Sequence, residues 1–291
     1  MFLITGATGA LGRRIVRLLR EREIATRAFV RLSSSYAELE NRGAEIFIGD
    51  FKQDKDIQKA CQGVRYIIST HGTGNDAQAI HYRANIELID CAKEVGVAHF
   101  VFISVLGVDR GYEDSTTFKA KREVEKYLQN SGLEYTILRP AGLASSLIPL
   151  AEQFRQTGIY LLIGDPKNRT SVVSTDDLAK IAIESVNVAD ACNKILPIGG
   201  PDILTREDIA TIFGRIFNRE PFLINPPLFL FDSLRGTLGL LNPQTQKGLG
   251  TLRVLLANEF FCTPEEIQHV ESIFEMKMES LESYIRRNIA V

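Results

Sequence analysis

Cysteine and histidine are sparse in this chain, and neither is grouped. The four cysteines, Cys61, Cys91, Cys192 and Cys262, show no CxxC or zinc-knuckle spacing, so each reads as a small buried hydrophobe. The four histidines, His71, His81, His99 and His269, contain no HExxH, and no metal is expected. An excess of charge of one sign is missing too. Thirty-four basic residues face 36 acidic ones, a net charge of −2, which argues against a dedicated nucleic-acid binder. Long apolar runs are lacking: the longest stretch, residues 228–241, is interrupted by Asp232, Arg235 and Gly236 and falls short of a bilayer span. Internal repeats and low-complexity tracts are absent. The first apolar run begins at Met1 and leaves no room for a signal peptide, so the expected compartment is the cytoplasm or a plastid stroma. Asn168-Arg169-Thr170 matches a glycosylation acceptor by chance on that reading.

What is present starts at once. Met1-Phe2-Leu3-Ile4 reads as a strand, Thr5-Gly6-Ala7-Thr8-Gly9-Ala10-Leu11-Gly12 as a glycine-rich turn, and the residues from Ala10 onward as a helix. Strand, turn and helix in that order are the context in which a GxxGxxG pattern predicts a dinucleotide site. Gly6 turns the chain off the strand, Gly9 clears space for a pyrophosphate, and Gly12 lets helix and strand approach. The free N–H groups at the helix start face the phosphate.

Strand and helix signals then alternate. Strands are expected at 25–30, 44–48, 64–69, 99–104, 134–138 and 194–198, and helices at 10–22, 35–42, 54–62, 76–95, 116–131, 145–157, 176–188, 209–217 and 281–287. Repeated βα units imply an α/β, doubly wound parallel sheet of Rossmann type. Ser174 and Thr175 are capping candidates, and Thr205-Arg206-Glu207-Asp208 resembles a capping box. Residues 1–150 are expected to form the nucleotide-binding core. Residues 151–291 should complete the sheet and build a small substrate or partner lobe. Within that lobe 226–261 is rich in Leu and Phe, with Gly236, Gly239, Gly248 and Gly250 permitting movement. It reads as packing, as an apolar mouth for a lipophilic substrate, or as a docking face that allows peripheral membrane association.

The residue at the tip of the second strand selects the nucleotide. Here the strand ends in Val30-Arg31 and no acid follows within several residues, which favours NADP(H) over NAD(H). Arg13 approaches from the turn, and an arginine fork suits a phosphate dianion. Ser33 and Ser34 offer hydroxyl donors. Asp50, before Phe51, reads either as an acceptor for the adenine amino group or as a loop acid. Ser69, Thr70 and Gly72 follow the fourth strand beside the cofactor path, and Asn85 reads as structural.

These residues together resemble an atypical short-chain dehydrogenase/reductase of the NmrA-like group. The likeness rests on the Gly6/Gly9/Gly12 turn, Val30-Arg31, Gly49-Asp50, Phe100 to Ser104, Tyr135 to Pro140, Ser174 to Ala179, and the tail around Ser280-Leu281-Glu282. It covers nearly the whole chain and is weakest across 223–247. The group includes NADPH-dependent quinone and triphenylmethane reductases, isoflavone-reductase-like enzymes, a redox-sensing regulator and photosynthetic assembly factors. The resemblance implies cofactor contacts from Gly6, Thr8, Gly9, Leu11, Gly12, Arg13, Arg31, Asp50, Phe51, Ser69, Thr70, Lys121 and Pro140.

Ordinary members of the superfamily carry Tyr four residues before Lys, and the lysine helps the phenol handle a proton. Here Lys121 holds the lysine slot but Thr117 holds the tyrosine slot, and an aliphatic hydroxyl is a far poorer acid than a phenol. Two readings stand. In the first, Lys121 itself handles the proton, as resemblance to isoflavone-reductase-like enzymes implies, with Ser104 binding the substrate oxygen and Tyr112 as a mobile phenol; the substrate is a small apolar acceptor such as a quinone or enone. In the second, Lys121 lies on a polar helical face with Arg122 and Glu123 and anchors a ribose, and the protein is a sensor or assembly factor with a protein partner. Arg139 is expected to pair with Asp176 or Asp177.

Overall fold

The computed structural model describes residues 1–71, 82–112, 114–241 and 243–289, with backbone only across 238–241 and 243–248. The chain divides into two compact units. The first comprises Met1–Gly111, Thr117–Arg139 and Thr175–Leu196, and the second Tyr112–Thr116, Pro140–Ser174 and Pro197–Val291.

The first unit is the βα series. It runs β1 (Phe2–Thr5), α1 (Ala10–Glu21), β2 (Thr26–Val30), α2 (Ala37–Asn41), β3 (Glu45–Ile48), α3 (Asp54–Cys61), β4 (Tyr66–Ser69), α4 (Ala84–Glu94), β5 (His99–Ile103), α5 (Thr116–Gln129) and β6 (Tyr135–Pro140). Later in the chain come α6 (Ile148–Thr157), β7 (Ile159–Leu161), β8 (Arg169–Thr170), α7 (Thr175–Glu184) and β9 (Lys194–Ile198). Seven strands form one sheet in the order β3-β2-β1-β4-β5-β6-β9. The pairings among β1 to β6 are parallel. The order reverses between β1 and β4, and ligands of such sheets bind outside the carboxyl ends of the strands at that switch point.

Burial explains the strands. Every residue of β1 and of β5 is buried, as a parallel strand covered on both faces requires. Helix α1 buries Leu11, Gly12, Ile15, Val16 and Leu19, a stripe at helical spacing. The unit's core joins Leu3, Phe29, Ile67, Phe100 and Phe102 from the sheet to Leu88, Val124 and Leu128 from the helices. The expected helix 35–42 shortens to Ala37–Asn41 because Ser34 N–H bonds the Arg31 carbonyl and closes a turn first. Gly72 and the start of the expected helix 76–95 lie outside the described residues.

The second unit departs more from expectation. It adds β10 (Leu204–Thr205), α8 (Arg206–Phe217), β11 (Phe222–Ile224), α9 (Leu228–Leu241), α10 (Pro243–Ala257), α11 (Pro264–Ile273) and α12 (Leu281–Asn288). The Thr205–Asp208 capping box is present, and Thr263 with Glu266 forms a second one ahead of α11. Phe154, Tyr160, Ile209, Phe213, Tyr284 and Ile285 make its core. Across 226–261, where the sequence pattern assigns no element, the chain forms two helices, α9 and α10. Two-residue strands such as β8 and β10 carry too little pattern to be read from sequence. Among the described residues no helix is long and apolar enough to cross a membrane.

Candidate functional site

The β1–α1 turn is built around backbone that tolerates no side chain. Gly6 adopts φ +67°, and a Cβ there would lie 2.7–2.9 Å from Thr70 Oγ1 and the His71 backbone. A Cβ on Gly12 would fall 2.3 Å from the Gly6 carbonyl oxygen. At Gly9 the Cβ would meet only that same oxygen, at 3.2 Å, and otherwise open space. Gly9 is the N-cap of α1; no side chain caps the helix and its first turn holds no acid. The first N–H donors are thus left for an anion, and the cradle fits a diphosphate. Leu11 is buried beneath the turn, and the half-buried Thr8 lends its carbonyl to Arg13 Nε at 3.0 Å.

Side chains from neighbouring strand ends gather around it. Thr70 Oγ1 donates to the Thr5 carbonyl at 2.8 Å and ties β4 to β1. Ser69 is fully buried and donates to Asn85 Oδ1 at 2.7 Å, which gives Asn85 its structural role. Phe51 stacks between Phe29 and His71, with ring centroids 4.1 and 4.3 Å away. His71 Nδ1 is hydrogen-bonded to Thr5 Oγ1 at 2.7 Å. Sequence reasoning passed over His71; its place two residues beyond a buried strand was the available signal. Asp50 is exposed, and its Oδ1 accepts from Lys52 N–H at 2.9 Å in a local turn.

The two arginines differ. Arg13 is engaged: Nη1 donates to Glu38 Oε2 at 2.9 Å and Nη2 to the Ser35 carbonyl at 2.6 Å. Arg31, at the tip of β2, is exposed and has no side-chain partner among the described residues.

Lys121 overturns the expectation of a polar helical face. It is buried to 9 % exposure on the sheet-facing side of α5, and Nζ donates to the Ile103 carbonyl at 2.6 Å. The same nitrogen lies 5.0 Å from the Phe102 ring centroid. Burial pushes its pKa down from 10.5 to about 8, against a smaller opposing pull from Glu125. Ser104 follows Ile103 directly; it is buried and its Oγ has no hydrogen-bond partner among the described residues. Thr117 is half-buried in the tyrosine slot. Tyr112 packs at 5.8 Å on Phe260 within the second unit, and the buried Pro140 closes β6.

Arg139 does not pair with Asp176 or Asp177. It grips the buried Glu125 with two donors, at 3.1 and 2.6 Å, and Asp109 with a third at 2.7 Å. Asp176 instead takes Arg14 and Arg17 from α1 at 3.1 and 3.0 Å. Asp176 and Arg17 are 159 residues apart, so the fold and not local sequence decides which basic residue this acid meets.

Residues 6–188 match the family described as NAD(P)H-binding. Over 296 residues the chain is 27% identical to the photosystem II assembly factor Ycf39 of Cyanophora paradoxa, spanning 98% of this chain and 90% of that protein. Over 222 residues it is 29% identical to an NAD(P)H azoreductase of Xenophilus azovorans, spanning 75% of this chain and 74% of that one. The NADPH-dependent quinone oxidoreductase QOR2 of Escherichia coli, solved with NADPH, superposes with a TM-score of 0.79 over 99% of both chains. At 19% identity that likeness speaks for the fold alone.

Proposed function

The chain belongs to the NAD(P)H-binding family as an atypical short-chain dehydrogenase/reductase, and from that premise we propose that it reduces a small apolar acceptor, a quinone or enone, with NADPH as the preferred donor. The observation that carries this reading is the pairing at the end of β5 of a buried lysine with a buried hydroxyl that has no partner among the described residues. A structural serine would spend its hydroxyl on a neighbour, since an unmet buried polar group costs about 1–3 kcal/mol. Ser104 Oγ is held ready to donate to an acceptor's oxygen.

A bound nicotinamide supplies hydride. Lys121 carries the matching proton on Nζ. Its pKa near 8 keeps it protonated at neutral pH yet willing to give the proton up, the range in which a general acid works best. The Ile103 carbonyl holds one of its three N–H groups, which leaves two for an acceptor oxygen and a ribose hydroxyl. One hydride and one proton complete the two-electron reduction, so no tyrosine is required. The preference for NADPH rests on Arg31, whose guanidinium has no partner among the described residues while that of Arg13 is taken by Glu38.

The second reading, a protein that keeps the nucleotide as a ligand while it senses redox state or assists assembly, is favoured by Thr117 in the phenol slot and by the near-full-length alignment with an assembly factor. Exposed Phe229, Leu230 and Leu234 on α9 suit a protein or membrane-surface contact on that reading. Turnover decides. Lys121→Ala should lower quinone-dependent NADPH oxidation about 100-fold or more while nucleotide binding persists. Ser104→Ala should raise KM more than it lowers kcat. Wild-type turnover in Lys121→Ala would remove the lysine from the reaction.

A further inference from the structure

At the opposite end of the sheet from the glycine turn, three potential ligands converge. His99 opens β5, Glu134 immediately precedes β6, and Cys192 lies two residues before β9. The imidazole nitrogen, the carboxylate oxygen and the thiol sulfur lie within 4.8 Å of one another. We propose that His99, Glu134 and Cys192 bind a zinc ion, with a fourth position open to water. The site is independent of the nucleotide cleft and of the reductase reading.

Tautomer and backbone both support it. Thr136 donates its single hydroxyl proton to the Ala191 carbonyl at 2.8 Å. The 2.9 Å contact between His99 Nε2 and Thr136 Oγ1 therefore runs from the imidazole N–H to the hydroxyl oxygen. This fixes the proton on Nε2 and leaves Nδ1 as a bare lone pair. A metal-binding histidine needs that arrangement, its far N–H held by an outer partner that orients the ring.

The other two ligands are pinned as well. Glu134 is fixed through its carbonyl, which accepts Phe100 N–H at 2.9 Å. Cys192 sits between Ala191, bound through Thr136, and Asn193, which exchanges bonds with the Tyr135 backbone at 2.6 and 3.2 Å. Asn193 takes the left-handed φ of +57°, which turns the chain here. A tetrahedral zinc with bonds of about 2.0–2.3 Å needs ligand atoms about 3.3–3.8 Å apart. The exposed Glu134 side chain is free to close that gap, and the half-buried Cys192 leaves an entry path.

One nitrogen, one oxygen and one sulfur suit zinc or the other borderline first-row ions, not magnesium or calcium. The thiol gives up its proton as the metal–sulfur bond forms, so binding releases one proton to buffer.

The test titrates the intact chain, freed of metal by a chelator, with zinc chloride in two buffers of different ionisation enthalpy, and with cobalt(II) as a spectroscopic probe. The expected result is one zinc per chain, a buffer-dependent heat that reports proton release, and a thiolate-to-cobalt charge-transfer band. Cys192→Ser should abolish the band and weaken zinc about 100-fold; Thr136→Val, which removes the imidazole's outer partner together with the bond to the Ala191 carbonyl, should weaken it about 10–100-fold. Both variants are checked for native NADPH binding. Zinc binding unchanged in Cys192→Ser, or a cobalt complex with no charge-transfer band, overturns the proposal.

Discussion

Lys121 is the residue on which the chemistry turns, and its environment gives a sign that can be measured. Its pKa falls from 10.5 to about 8 on folding, because burial removes water from the ammonium. Between those two values the unfolded chain holds a proton that the folded chain has lost. Stability therefore rises with pH across that window and carries its full penalty below about 8. Lys121→Met should remove this rise and stabilise the fold at neutral pH by on the order of 2 kcal/mol, read from denaturant midpoints at several pH values. Arg31 makes a separate prediction. Arg31→Glu should weaken NADPH about 10–100-fold while changing NADH little, since charged hydrogen bonds contribute about 1.5–3 kcal/mol. Calorimetry with both nucleotides reads the difference, and equal weakening would show that Arg31 does not discriminate. The slot of Lys121 was legible from the family resemblance, and that of Ser104 from its place at the end of the fifth strand. Their burial was not, because the polar neighbours Arg122 and Glu123 disguise which face of α5 meets β5.

At the scale of elements, the glycine turn and the βα series were legible because steric need and hydrophobic pattern agree there. Expected strand ends fall within two residues of those observed. The ion-pair network between α5 and β6 was not legible. Glu125 and Arg139 are 14 residues apart, and nothing local says that α5 folds back to lay Glu125 beside the end of β6. The network has a consequence. Glu125 has 3 % of its side chain exposed, so Arg139→Met leaves a buried carboxylate without its counter-charge. That should cost about 3–5 kcal/mol of unfolding free energy, measured by urea denaturation. Adding Glu125→Leu should recover much of it. Had the pair been a surface bridge, the single variant would cost no more than about 1 kcal/mol. The converging ligands at the other ends of β5, β6 and β9 escaped sequence reading for the same reason. Their positions, 99, 134 and 192, carry no motif spacing, and parallel strand order alone brings them together.

For the molecule as a whole, the doubly wound first unit supplies the nucleotide cradle, the exposed Arg31 and the Lys121–Ser104 pair. The second unit was the less legible half. Its short strands and the helices α9 and α10 follow from tertiary packing more than from local pattern. A chain that bound the nucleotide only as a ligand would keep the cradle, and it would lose the reason to bury a lysine beside a serine that has no partner among the described residues. Oxidation of NADPH by a naphthoquinone, followed without oxygen in the reduced-nicotinamide absorbance, tests this most directly. Catalytic loss of that absorbance, matched mole for mole by quinol, is the expected result. Tight NADPH binding with flat absorbance across a panel of quinones, enones and azo dyes would contradict it.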